Sequence, residues 1–208
     1  MGVVVLASAS TRRRAWLSEA FDGFEVDLRY CELGGAEPKP RVGEEVKFQA
    51  NGACMHKARV AAKSIGMNGG EKRIIIVSDT LVEDPDDHLA ALGKPADLAS
   101  AASTLIRLSG RKHMVWSSTA ILEVERGNIE LEGGWRASMW TDYSIVEFEE
   151  IQEEVMEEIL NSGSWIGKAG GYDIAGMARG FAKVIEGEEV TVLGFSHSAI
   201  SNLVDRLS

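Results

Sequence analysis

Only two cysteines, Cys31 and Cys54, occur in the 208 residues, and they form no Cys-x-x-Cys pair. Their scarcity excludes a disulfide framework and any cysteine-rich zinc site, and it fits a reducing compartment. The four histidines (His56, His88, His113 and His197) are scattered, with no His-x-x-x-His pair to hold a metal from one helix face. Positive charge is in deficit: 22 Lys and Arg stand against 32 Asp and Glu, a formal net charge of −10. That balance argues against wrapping a nucleic-acid polymer, which needs a basic face. A small anionic ligand is still admissible where cations gather locally. No apolar run approaches the ~18 residues a membrane helix needs. The amino terminus carries no positive charge ahead of its short apolar run, and Gly2 lacks the downstream Ser or Thr of a myristoylation motif. These absences lead us to expect a cytoplasmic protein whose partners include neither a membrane nor a nucleic-acid polymer. A homodimer stays open.

What is present is ordinary for a soluble globular chain, with 45% hydrophobic and 26% charged residues. Residues 3–6 are a β-branched run that reads as a strand buried on both faces. A helix follows, with Trp16, Leu17, Ala20 and Phe21 at helical spacing, and residues 24–28 alternate as a second strand. Residues 34–42, rich in glycine and proline, read as a loop. From 44 to about 63 the pattern is helical, with Val46, Ala50, Ala53, Cys54, Ala58 and Ala61 on one stripe. Residues 74–77 form another buried strand that is expected to end at Ser78-Asp79-Thr80. The chain from there to Pro95 reads as a loop carrying Gly93-Lys94-Pro95, and Asp97 is placed to cap a helix running through Leu108. Residues 113–125 and 129–148 read as strands of an antiparallel ribbon. Ile151, Val155 and Ile159 mark an amphipathic helix whose other face carries the glutamates between Glu147 and Glu158, a solvated surface. A glycine-rich stretch over 163–180, short strands and a last helix near 199–207 complete the chain. We read a single α/β domain over residues 1–208, with a central mixed twisted sheet flanked by helices.

The strongest chemical signal is Arg12-Arg13-Arg14 at the start of the first helix. The first turn of a helix carries unsatisfied N–H groups and partial positive charge, so acidic side chains belong there. Three arginines in that turn are unfavourable without an anion, and Ser8 and Ser10 add hydroxyl donors just ahead of them. Exposed N–H groups together with arginine forks suit phosphate oxygens. The competing reading is a solvated basic turn paired with acidic neighbours. Lys57 falls on the apolar stripe of its helix, so it either snorkels outward or points at something negative. Asp79 stands where open α/β sheets collect ligands, beyond a strand's carboxyl end. A carboxylate there can bind a metal, activate water or simply cap the next turn. Glu32, just past the second strand, is a candidate to share a metal with Asp79. Gly93-Lys94-Pro95 presents one ammonium on a constrained loop, or is merely a turn.

Other templates fit badly. The chain has no Gly-x-x-x-x-Gly-Lys-Ser/Thr loop and no Gly-x-Gly-x-x-Gly fingerprint. Gly194-Phe195-Ser196-His197-Ser198 brushes against the nucleophile elbow of hydrolases but lacks its final glycine. The elbow's order of serine, acid, then histidine cannot be built after it. A phosphatase working through a covalent aspartyl-phosphate would carry a second aspartate two residues after Asp79, where Leu81 stands.

Taken together, these segments resemble the Maf family of nucleoside triphosphate pyrophosphatases. Leu6-Ala7-Ser8-Ala9-Ser10-Thr11-Arg12-Arg13 is similar to that family's Leu-Ala-Ser-x-Ser-Pro-Arg-Arg, with Thr11 in place of proline. Lys57-Ala58, Ser78-Asp79-Thr80, Leu92-Gly93-Lys94-Pro95, Leu108-Ser109-Gly110-Arg111 and Lys168-Ala169-Gly170-Gly171-Tyr172 follow in the family's order, and Glu32 stands where its acidic residue does. The fold this resemblance implies is the one Maf proteins share with inosine triphosphatases. The activity it implies is metal-dependent hydrolysis of a nucleoside triphosphate to monophosphate and pyrophosphate. Ser8, Ser10, Arg12, Arg13, Lys57, Lys94 and Lys168 would then hold or neutralise the triphosphate. Glu32 would bind magnesium or manganese, and Asp79 would orient or deprotonate the attacking water and touch the metal as well. Two departures stand out: Ala175 replaces the glutamine of the family's Ile-Gln-Gly, and Gly194-Phe195-Ser196 replaces its Gly-Leu-Pro. The match through Tyr172 leans towards the members that act on thymidine and uridine triphosphates or their modified forms. The rival expectation, since the family is linked to septum formation, is a nucleotide-binding regulator of cell division with little turnover.

Overall fold

The computed structural model describes residues 2–34, 41, 43–66 and 73–207. Strand β1 (Gly2–Ala7) leads through a serine loop into α1 (Thr11–Ala20), and β2 (Val26–Cys31) returns beside β1. Helix α2 (Val46–Ser64) precedes β3 (Arg73–Asp84), which folds back as β4 (Asp87–Leu92). After α3 (Leu98–Leu108) come β5 (Lys112–Glu123), the short β6 (Ile129–Glu130) and β7 (Arg136–Phe148). Helix α4 (Glu153–Ser162), β8 (Ala182–Glu186), the single-turn α5 (Glu189–Leu193) and α6 (His197–Leu207) follow. The described strands make one eight-stranded sheet in the order β2-β1-β3-β5-β7-β6, with β4 on β3 and β8 on β7. β1 runs parallel to β2 and β3, and the other pairs are antiparallel, so the sheet is mixed as expected.

Alternation along β1 sends Val3, Val5 and Ala7 to one face, where they pack with Cys54, Ala58 and Ala61 of α2. Val4 and Leu6 go to the other face and meet Leu17 of α1 with Phe195, Ala199 and Leu203 beside them. Burial on both sides explains why that strand is continuously apolar. A third cluster joins Leu105 and Leu108 of α3, Phe148, Ile159 and Tyr172. Asp97 caps α3, accepting from the Ser100 backbone N–H at 2.7 Å while Ser100 Oγ accepts from the Asp97 N–H at 3.0 Å. The glutamates of α4 face solvent.

Three expectations are corrected. Strand β3 does not end at Asp79 but continues to Asp84, because β5 pairs with it without interruption from Ile75 to Val82. Residues 87–92 are a strand rather than a loop: Leu92 and Ala91 pair with Val82 and Glu83. Their polar start, Asp87-His88, hides the strand in the sequence because this edge is exposed. The second strand lies at Val26–Cys31, two residues late, because Phe24 turns back onto Phe21 with ring centroids 5.5 Å apart. The glycine- and proline-rich loop expected over 34–42 lies mostly outside the described residues.

His113 on β5 is buried in the third cluster, edge-on to Phe148, with Nε2 3.0 Å from the Tyr172 hydroxyl. Burial pushes its pKa down to about 3, from an ordinary value of 6.5. Between those two values the unfolded chain holds a proton that the folded chain refuses, so stability falls as pH falls through this window. One such group changes stability by up to about 1.4 kcal/mol per pH unit. The urea midpoint should therefore drop between pH 7 and pH 5, and His113→Gln should flatten that dependence whatever its effect at pH 7. Parallel slopes for the two proteins would show that His113 does not set the acid sensitivity.

Candidate active site

The residues after β1 build the first wall. Ser8 N–H donates to Cys31 O at 2.8 Å, tying the loop to the end of β2, and Ser10 caps α1 by accepting from the Arg13 N–H at 3.3 Å. No acidic residue occupies the first turn of α1. The helix start and its two serines thus face a cavity of about 270 Å³, within the order of size that holds small molecules.

The floor comes from β3 and α2. β1 pairs with β3 only as far as Ile76, and β4 begins to pair at Val82. Between these two partners one edge of β3 is open, and Asp79 lies in the gap. Its side chain points to the α2 side, where Lys57 Nζ meets Asp79 Oδ1 at 2.6 Å. Lys57 is therefore aimed at a negative group rather than snorkelling away. The pair is about seven-eighths buried, so its attraction is screened far less than that of a surface pair. Cys54 lies behind it, where burial first and the Asp79 charge second push the thiol pKa up to about 12. A thiol held protonated in this way is no nucleophile.

The other walls carry Lys94, Gly167 and Ala169, with Leu33, Val60 and Leu193 giving apolar surface. The Lys94 loop is held to the glycine turn by Gly170 N–H donating to Gly93 O at 3.1 Å. His56 and Thr80 also line the cavity. Sequence reasoning gave neither a role, although each adjoins a residue it singled out.

The three arginines have separate fates. Arg13 is buried and donates to Gly194 O at 2.8 Å, Ser78 O at 3.1 Å and Thr80 Oγ1 at 2.8 Å. Arg12 sits on the cavity wall, 3.4 Å from Asp173. Arg14 donates to Ser8 O and pairs with Glu32 at 3.0 Å.

Ser8, Ser10, Arg12, Arg13, Lys57, Asp79 and Lys94 are thus brought together. Three other candidates are not. Glu32 does not line the cavity; its side chain is 67% exposed and turned to Arg14. Lys168 lies beside the wall, with Nζ donating to Ser164 O and 3.5 Å from Asp173. Tyr172 is 3% exposed, its ring packed edge-on against Phe148 and its hydroxyl beside His113. The apolar character of the third cluster draws Tyr172 inward, leaving its backbone carbonyl facing Arg12 at 3.4 Å.

Among the described residues no three His, Cys, Asp or Glu side chains gather as a ready metal cage, and Asp79 is the carboxylate on the cavity wall. That donor set suits a hard cation of the magnesium type, which binds through one or two carboxylates together with substrate phosphates. No helix among the described residues is long and apolar enough to cross a membrane.

A "dTTP/UTP pyrophosphatase" of Nitratidesulfovibrio vulgaris is 34% identical over 204 residues, covering 98% of this chain and 87% of that one. A protein of the same name from Ruminiclostridium cellulolyticum is 29% identical over 210 residues, covering 99% and 96%. The solved structure of a HAM1 protein from Coxiella burnetii gives a TM-score of 0.46 at 17% identity, over 71% of this chain and 73% of that one. The model of the Maf-like protein family matches residues 3–207. By that match and by the 34% relative, the chain belongs to the Maf family.

Proposed function

We propose that this chain hydrolyses a nucleoside triphosphate to the monophosphate and pyrophosphate, on the cytoplasmic nucleotide pool, with thymidine and uridine triphosphates or their modified forms as substrates. The observation that carries this reading is Asp79 held by Lys57 on the floor of a cavity walled by Arg12, Lys94, Ser8 and Ser10. The names of the relatives support the choice of base.

Each residue's part follows from its chemistry. The phosphate chain enters against the serine hydroxyls and the start of α1, where N–H groups and the helix dipole favour anions. Lys57, Lys94 and Arg12 neutralise charge as the pyrophosphate leaves, and Lys168 can join them from beside the wall. Asp79 accepts a proton from the water that attacks the α-phosphorus. While no phosphate is present Lys57 occupies Asp79; an incoming phosphate draws the ammonium away and leaves the carboxylate to its task. A magnesium or manganese ion would be held by Asp79 and the phosphates, with Glu32 joining them once it leaves Arg14, and would supply Lewis-acid stabilisation of the transferring phosphoryl group. Catalysis of this kind is mostly positioning and charge stabilisation.

Three measurements test the reading. Chromatography after incubation with each triphosphate and magnesium or manganese should show monophosphate and pyrophosphate in equal amounts; diphosphate with inorganic phosphate would contradict it. Titrating manganese against Glu32→Gln should show a raised half-saturation, and an unchanged curve would remove Glu32 from metal binding. Asp79→Asn should lose about 10²–10⁴-fold in turnover, the usual share of general-base catalysis, while nucleotide affinity survives through the cations. Unchanged turnover would reduce Asp79 to a structural residue. Tight binding by the unaltered protein with no turnover on any triphosphate would favour a regulatory binder instead.

A further inference from the structure

Arg13 belongs to the signature that suggested phosphate binding, yet its guanidinium is committed elsewhere. Its two contacts on β3 bracket Asp79: Nη1 donates to the carbonyl of Ser78 at 3.1 Å, and Nη2 to the hydroxyl of Thr80 at 2.8 Å. From the other side Nε donates to Gly194 O at 2.8 Å, and the guanidinium lies over the Phe195 ring, 6.0 Å from its centroid. The same Gly194 carbonyl accepts from Ser78 Oγ at 2.6 Å. Thr80 Oγ1 is in turn 2.7 Å from Ser117 Oγ, which donates to Thr191 O at 2.6 Å.

We infer that Arg13 is a positioning residue for Asp79, clamping the strand on either side of it to the corner at Gly194-Phe195. The inference rests on the pyrophosphatase reading of the site. The clamp is placed where β3 most needs one. Here the strand has lost β1 and not yet gained β4, so among the described residues one edge has no ladder to hold its backbone. A guanidinium suits the task because its planar fork fixes several acceptors at once, which an ammonium cannot do. Gly194 is matched to the same end. Its φ is 123°, and a Cβ there would come within 2.5 Å of Arg13 Nε and 3.1 Å of Cζ. Glycine lets the guanidinium sit against the backbone, and the departure at Gly194-Phe195-Ser196 keeps it while supplying an aromatic face beneath the cation.

The test separates aim from charge. Arg13→Lys keeps the charge and loses the fork, while Gly194→Ala keeps Arg13 but pushes its guanidinium aside from outside the cavity wall. Both variants should show kcat lowered about 10²-fold, the order expected when a reacting group is misplaced by about 1 Å, with KM changed less than about threefold. The double variant should lose little more than either single one, since both break the same clamp. Thermal melts and the nucleotide affinity of each variant are measured alongside, so that simple unfolding is seen directly. A raised KM with intact kcat in Arg13→Lys would overturn the inference in favour of a phosphate ligand. Additive losses in the double variant would overturn it too. If the unaltered protein hydrolyses no triphosphate, the functional reading itself falls, an outcome distinct from either of these.

Discussion

Strand β3 has to serve two different partners along one edge, and the site exists because it cannot serve both at once. β1 accompanies it in parallel as far as Ile76, whereas β4 pairs antiparallel from Val82. On its other edge β5 runs alongside from Ile75 to Val82, so the strand stays straight through the change. A short length of backbone is thus firmly supported on one side and open on the other. Open sheets place ligands at breaks of this sort because side chains there can converge without neighbouring strands filling the space. Asp79 occupies that length, and the serine loop after β1 lines the same cavity.

Charge is arranged around the same gap. In a molecule with a net charge of −10, the start of α1 concentrates three arginines where the helix dipole is also positive. The fold disperses this stress by giving each guanidinium a different acceptor: backbone carbonyls for Arg13, Asp173 for Arg12, Glu32 for Arg14. Only Arg12 is left on the cavity wall beside an exchangeable carboxylate. Asp173 also meets Lys168, so one acidic side chain holds two cations at the edge of the cavity. A phosphate oxygen is likewise an anionic acceptor for guanidinium and ammonium groups.

Much of this was legible in the residues, and the gaps have physical causes. The β-branched run of β1, the alanine stripe of α2 and the cap at Asp97 are local signals, each fixed by a few neighbouring positions, and each appears where the pattern put it. The position of Lys57 on an apolar stripe was ambiguous alone, because its partner Asp79 is 22 residues away. Strand β4 was missed since an exposed edge tolerates the polar residues that normally mark a loop. Tyr172 and Glu32 were carried by the family pattern, which marks positions but not the direction of a side chain. Tyr172 turns into the core because an aromatic cluster waits there, and Glu32 turns to Arg14, with which it makes an ion pair at 3.0 Å. The split of the arginine run into one buried and two accessible members was equally invisible, because the acceptors of Arg13 lie 65 to 181 positions further on.

That last separation bears on how the protein is made. The hydrogen bond from Arg13 to Gly194 spans 181 positions, closing a loop that contains almost every other element of the fold. Synthesis proceeds from the amino end, so the serine loop after β1 and Asp79 leave the ribosome long before the corner at Gly194. The clamp on either side of Asp79 is therefore complete only once all but the last helix of the chain is present.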